Sequence, residues 1–146
     1  MSVLKVKKVR EQAQLPSRAT KGSAGHDLYA CIEEDVVIAP GQLEKIPTGV
    51  AIELPDENQV ALIFARSSMG VKYGVIPGNA VGVIDSDYRG ELIVCLRNYS
   101  AVPYTVHPQD RIAQLVIMPV VLPVIEEVEE LSETSRGEGG FGSTGK

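Results

Sequence analysis

The sequence predicts an all-β fold, on three observations. Apolar residues recur with period two or in short runs along most of the 146-residue chain. Gly and Pro, 14 and 9 in number, interrupt those runs at intervals of about ten residues, as turns do in an antiparallel sandwich or barrel. No stretch carries the 3.6-residue periodicity of a long amphipathic helix. A chain of this length fits one domain, and a chain this size buries roughly two thirds of its unfolded surface.

The strand runs, in order, are VLKVKKV from Val3, EDVVIA from Glu34, LEKIPTGVAIEL from Leu43, QVALIFA from Gln59, ELIVCLRN from Glu91 and RIAQLVIMPVVLPVI from Arg111. One short helical candidate, SSMGVKYG from Ser67 to Gly74, could make a turn or two capped by a serine. From Glu126 the composition turns acidic and then rich in Gly, Ser and Thr, with too little apolar surface to order itself. The expected division is an all-β domain over 1–131 and a flexible C-terminal flap over 132–146. Arg136 and Phe141 set that tail apart: a cation and an aromatic ring spaced by glycines suit a flap closing on a phosphorylated, ring-bearing ligand.

Charge narrows the partners. With 14 basic against 19 acidic residues the net charge is −5, which argues against nucleic acid or an anionic membrane as the main partner. Cys31 and Cys95 lie in apolar runs without CxxC spacing and read as small core residues in a reducing compartment. The N-terminus lacks the 7–15-residue apolar stretch of a signal peptide, so a cytoplasmic location is expected.

Chemistry is expected first in GVIDSDYRGE, Gly82 to Glu91, a tight polar turn between two apolar runs. A carboxylate at the rim of such a hairpin, Asp85, can hold a water as general base, and the adjoining strand offers backbone donors and acceptors to a planar ligand. An ordinary exposed turn favours the same residue types. Three tempting motifs fail. Gly137, Gly139 and Gly142 have GxGxxG spacing but follow no strand and open no helix. Ser143 stands where a P-loop needs lysine. An EF-hand reading from Asp85, Asp87 and Gly90 puts Arg89 and Leu96 where calcium needs oxygen. His26 and His107 read as too isolated for a metal site.

Four further blocks join the hairpin: AGHDLYA (Ala24–Ala30), ARSSMG (Ala65–Gly70), QDRIAQL (Gln109–Leu115) and RGEGGFGSTG (Arg136–Gly145). In content, order and spacing the five resemble the motifs of the trimeric dUTP nucleotidohydrolases. That resemblance implies a jelly-roll-like homotrimer and hydrolysis of dUTP to dUMP and pyrophosphate, by Asp85-assisted attack of water on the α-phosphorus. It implies Mg²⁺ on the triphosphate, with Asp27 holding the metal's water shell. Arg66, Ser67, Ser68 and Gln114 would hold phosphate oxygens, while the backbone from Gly82, Val83 and Ile84 to Asp85, with the Asn79 amide, would read uracil. Tyr88 would pack on the deoxyribose and exclude a 2′-hydroxyl. From the tail, Arg136 would clamp the distal phosphates, Phe141 would stack on uracil, and Gly142, Ser143 and Thr144 would donate hydrogen bonds.

Two positions depart from the family pattern: Ser68 and Gln109 each stand where glycine is usual. The RSS form of the second block belongs to the related dCTP deaminases, so a deaminase or bifunctional enzyme is the alternative. Counting back from Asn98, however, the deaminase's catalytic glutamate falls on Cys95. A non-catalytic trimer that senses nucleotide or serves as a docking platform is the remaining alternative.

Overall fold

The computed structural model describes residues 3–140. Among them are eleven strands: β1 (Lys5–Lys8), β2 (His26–Tyr29), β3 (Val36–Ile38), β4 (Leu43–Pro47), β5 (Val50–Glu53), β6 (Gln59–Phe64), β7 (Val75–Pro77), β8 (Gly82–Ile84), β9 (Ile93–Asn98), β10 (Tyr104–Val106) and β11 (Arg111–Pro119). They form a four-stranded sheet in the order β2-β11-β6-β8, a three-stranded sheet β4-β9-β7, and the two-stranded ladders β1-β5 and β10-β3. Every pairing is antiparallel.

The expected all-β architecture is present, with four local differences. The run from Leu43 to Leu54 is two strands, broken at Thr48–Gly49. Gly49 has φ +71, and a Cβ there would sit 2.6 Å from Ala13 Cβ and 2.8 Å from Cys31 Sγ, so conformation and space both demand glycine. The last run stops as a strand at Pro119. Beyond it, Val124 and Ile125 are 95% and 87% exposed. β2, β7 and β10 are too short for their periodicity to show in sequence.

The fourth difference concerns the helical candidate. It forms over Ser68–Lys72, wound as a π-helix and anchored by buried Met69. Ser67 does not cap it: its φ and ψ, −54 and −44, are already helical, and its side chain makes no cap hydrogen bond. Gln109, at a usual glycine position, has φ +67, which explains the family's preference. Its Nε2 donates to the Gln12 carbonyl at 2.9 Å, tying this strained turn to the N-terminal segment.

The core lies between the two larger sheets. Leu28, Ala61, Ile63, Ala113 and Leu115 line the inner face of the first, and Ile46, Val75, Val94 and Leu96 that of the second. Each large side chain so buried stabilises the fold by roughly 1.5–3 kcal/mol relative to exposure. Both cysteines are free, Cys31 buried and Cys95 half-buried.

Two polar side chains among the described residues, Thr48 and Asn98, are wholly inside. The Asn98 amide donates to the carbonyls of Ile38 (2.9 Å) and Val102 (2.7 Å), and its Oδ1 accepts from the Ser100 N–H (2.9 Å) and hydroxyl (2.8 Å). It therefore joins the end of β9 to β3 and to the turn before β10. Asn98→Ala should lower stability by about 3 kcal/mol, because the buried Ile38 carbonyl loses its side-chain donor and the Ser100 N–H and hydroxyl lose their acceptor. Chemical denaturation measures this, and a loss below about 1 kcal/mol would mean that water replaces the amide.

Candidate active site

The central strand β11 assembles the first half of the site. It pairs with β2 on one side and β6 on the other, so that Gln114 stands opposite Asp27 and Phe64. Residues opposite one another share a face of the sheet. Arg111 is three positions before Gln114, and an odd spacing in a regular strand would send it to the other face. A bulge between Arg111 and Ala113 absorbs Ile112 and restores Arg111 opposite Tyr29. Arg111, Asp27 and Gln114 consequently face the same way.

Around Asp27 the charges close into a cluster. Arg66 Nε donates to Asp27 Oδ1 at 2.9 Å, and Arg111 Nη1 to Oδ2 at 3.4 Å. Arg66 Nη1 also donates to the Arg111 carbonyl at 3.4 Å. Gln114 Nε2 donates to the Ala65 carbonyl at 2.9 Å, fixing the loop that carries Arg66 and Ser67. These residues, with Ser23, Ala24 and Gly25, line a cleft of about 320 Å³. Its open, cationic walls suit an extended anion. Ser68, exposed one residue further on, does not line it.

The second half is the turn from Asp85 to Glu91, and here the expected hairpin is corrected. β8 pairs with β6 in the first sheet, whereas β9 pairs with β4 and β7 in the second. The polar block thus bridges two sheets instead of closing a ladder. Within it the Tyr88 N–H donates to the Asp85 carbonyl at 3.1 Å, and the Tyr88 hydroxyl to the Glu91 carbonyl at 3.1 Å. The tyrosine ring lies directly against Gly90, where a Cβ would overlap it. Val83, Ile84, Asp85, Tyr88, Glu91, Leu92 and Ile93 line an open cleft of about 210 Å³, whose walls are part apolar and part polar, with the exposed Asp85 carboxylate at its edge.

Glu91 fastens this turn to the body of the protein. Its carboxylate accepts Arg10 Nε at 2.6 Å, Arg10 Nη2 at 3.1 Å and the Gly49 N–H at 2.9 Å. The Arg10 fork, more than the Gly49 amide, holds the Glu91 carboxyl below its ordinary value, against a partial desolvation that raises it.

Asn79 and Gly82 do not line this cleft. Asn79 is exposed in a turn with Ala80 at φ +63, and Gly82 begins β8. Arg136 is exposed and donates from Nε to the Gly139 carbonyl at 2.9 Å, engaging neither cleft. Phe141, Gly142, Ser143 and Thr144 lie outside the described residues. His107 is not isolated: Nδ1 meets Asp35 at 2.8 Å, which raises its pKa. His26 Nδ1 is buried with no partner among the described residues.

Sequence reading missed Arg111, Glu91 and Arg10. The signal for Arg111 was the adjacent pair Ile112–Ala113, two apolar residues where alternation allows one inward position. Nothing local signalled the pairing of Arg10 with Glu91, which are far apart in sequence.

A family model described as dUTPase matches residues 11–145. The chain is 53% identical over 142 residues to the deoxyuridine 5'-triphosphate nucleotidohydrolase of Neisseria meningitidis serogroup A, covering 97% of this chain and 95% of that one. It is 49% identical over 143 residues to the enzyme of that name from Paraburkholderia phymatum, covering 98% and 97%. Among solved structures, the dUTPase of Staphylococcus bacteriophage 80alpha with dUpNHpp is similar at TM-score 0.89 and 31% identity, covering 99% of each chain. A mutant dUTPase from phage phi11 of S. aureus, described with a structural Mg(II) ion, is similar at TM-score 0.80 and 28% identity, covering 90% of this chain and 99% of that one.

The Glu91 clamp gives the site a pH signature. Because the folded carboxyl lies below its ordinary 4.5, the clamp stabilises the protein above that value and its contribution is lost as pH falls through the folded pKa. Between about pH 5 and pH 3 the wild type should therefore lose more thermal stability than Glu91→Gln. Parallel melting curves for the two proteins would remove Glu91 from acid sensitivity.

Proposed function

The chain belongs to the dUTPase family, and we infer from that premise that it is a dUTP diphosphatase, hydrolysing dUTP to dUMP and pyrophosphate. The observation that carries the reading is the Asp85–Tyr88 turn, which sets one exposed carboxylate beside a small, partly apolar cleft. A carboxylate is a weak base in neutral solution, so holding the water in line with the α-phosphorus contributes more than basicity. Asp85 takes the proton from that water as it attacks. Uracil offers an N3 donor between two acceptors, matched by backbone groups of β8 and by the Asn79 amide. A base that leaves one such buried group unpaired loses about 1–3 kcal/mol. Thymine keeps the same edge and is excluded by shape, the backbone leaving no room for a methyl at C5. Tyr88, held by its bond to the Glu91 carbonyl, packs on the sugar where a 2′-hydroxyl would project.

The triphosphate brings about four negative charges. Arg66, Ser67 and Gln114 hold its oxygens in the cationic cleft, with Ser68, exposed beside it, as a further contact, and Mg²⁺ is the cofactor that fits. Among the described residues no three His, Cys, Asp or Glu side chains gather to cage a metal. A single carboxylate, Asp27, with one oxygen only loosely engaged at 3.4 Å, suits an ion carried on phosphate and held through water. When bound, Mg²⁺ neutralises charge on the phosphoryl oxygens. The segment from 132 onward acts as the flap: Arg136 on the distal phosphates, Phe141 over uracil, and Gly142, Ser143 and Thr144 as donors. No helix among the described residues is long and apolar enough to cross a membrane. With free cysteines and an acidic balance, the enzyme is assigned to the cytoplasm, with neither nucleic acid nor membrane as a partner.

The two half-sites favour a homotrimer with shared sites. Asp27 is on β2 and Asp85 follows β8, the opposite edges of one four-stranded sheet. Three strand spacings separate them, about 14 Å, too far for both to serve neighbouring phosphates of one nucleotide. Another copy's turn brought to the cationic cleft removes the mismatch. The exposed apolar residues beyond Pro119 supply a surface for that association.

Pyrophosphate release from dUTP, compared with dCTP, dTTP and UTP, tests the activity, and only dUTP should turn over rapidly. Asp85→Asn should nearly abolish release while leaving Mg–dUTP affinity within about a few-fold. An equal loss of binding and turnover would make Asp85 a structural carboxylate.

Assembly has its own test. Asp85→Asn protein and protein truncated before Arg136, mixed equally, unfolded and refolded together, should regain roughly one quarter of wild-type activity if turn and tail come from different subunits. Activity no higher than the parents' in verified mixed trimers would sink the shared site.

A further inference from the structure

Arg66 is already bonded within the chain. Its Nε is bonded to Asp27 and Nη1 meets the Arg111 carbonyl at 3.4 Å, so its side-on Nε–Nη2 edge is half taken while Nη2 is open to a phosphate. An arginine grips phosphate best with two parallel N–H donors. The Nε–Nη2 edge offers that pair only when Arg66 loosens its hold on Asp27. The Asp27 side chain is only 15% exposed, and a carboxylate so placed is costly to leave without a donor.

Arg111 is built to take over. The bulge at Ile112 turns it to the cleft face, its side chain is 50% exposed, and its contact with Asp27 Oδ2 is long at 3.4 Å. It has both the freedom and the distance to close in. The cluster also holds two guanidiniums against one carboxylate, so Asp27 stays compensated when either leaves.

We propose that Arg111 is a positioning residue, which holds the Asp27 carboxylate in the cleft while a metal-bound triphosphate draws Arg66 onto its phosphate oxygens. It touches no reacting atom and acts through Asp27. The inference rests on the dUTPase reading of the site and adds a residue to it. Without Arg111, either Arg66 stays on Asp27 and phosphate is held poorly, or Arg66 leaves and Asp27 loses its aim. Both routes weaken binding of a nucleotide that carries metal and distal phosphates. Neither weakens a nucleoside monophosphate.

The test is equilibrium binding of dUpNHpp to the full-length protein across a Mg²⁺ titration, with dUMP binding as the control. Arg111→Gln, which keeps much of the stem and removes the charge, should raise the Mg²⁺ concentration for half-maximal dUpNHpp binding by about fivefold or more. Affinity for dUMP should stay within about twofold of wild type. Arg111→Ala carries the same criterion if the glutamine variant does not assemble. An unchanged Mg²⁺ midpoint overturns the proposal, and so does a parallel loss of dUMP affinity, which would mark Arg111 as a structural support for the whole site. Failure of the wild-type protein to bind dUpNHpp would instead overturn the reading beneath it.

Discussion

The bulge in β11 is the constraint on which the charged half of the site depends. A strand hydrogen-bonded on both sides has its register fixed by two partners at once, and every side chain's face follows. One absorbed residue, Ile112, lets β11 bury Ile112, Ala113 and Leu115 and still turn Arg111 outward beside Asp27 and Gln114. Core and cleft are two readings of the same register. A strand regular throughout would satisfy the core and send Arg111 into it.

The other half of the site is governed by a different economy. The Asp85–Glu91 turn has no ladder of its own, because the strands on either side of it belong to different sheets. Its shape comes from short bonds within the turn and from Glu91, whose carboxylate is held by Arg10 and Gly49. Thr48 adds a bond from its hydroxyl to the Leu92 carbonyl at 2.6 Å. The N-terminal segment thus braces a loop some eighty residues away in sequence, and Gly49 serves as the hinge-pin because no side chain fits beside Ala13 and Cys31.

Legibility in the sequence divided along the range of the forces involved. Alternation over five or more residues marked the long strands β4, β6, β9 and β11, since a half-buried strand writes its face into every second residue. Three-residue strands such as β7 and β10 write too little to be read. The candidate site residues stood out by type and order, including Asp27, Arg66, Gln114 and Asp85. Their arrangement did not. The block around Asp85 looked like a hairpin because flanking apolar runs resemble paired strands, whatever their true partners. Ser67 looked like a helix cap because its residue type permits one, while its backbone was already helical. Arg111 was hidden by an odd spacing that only a bulge can reverse.

The extended segment after Pro119 carries a consequence for the life of the molecule in a cell. Val124, Ile125 and Leu131 are almost fully exposed in a lone chain, the kind of sticky, unfolded-looking stretch that proteases and chaperones survey. A chain whose segment stays open to solvent is open to cleavage there, and covering the segment lengthens the chain's life. Lifetime is then set by how much of the segment is covered, which ties turnover to binding without any dedicated regulator.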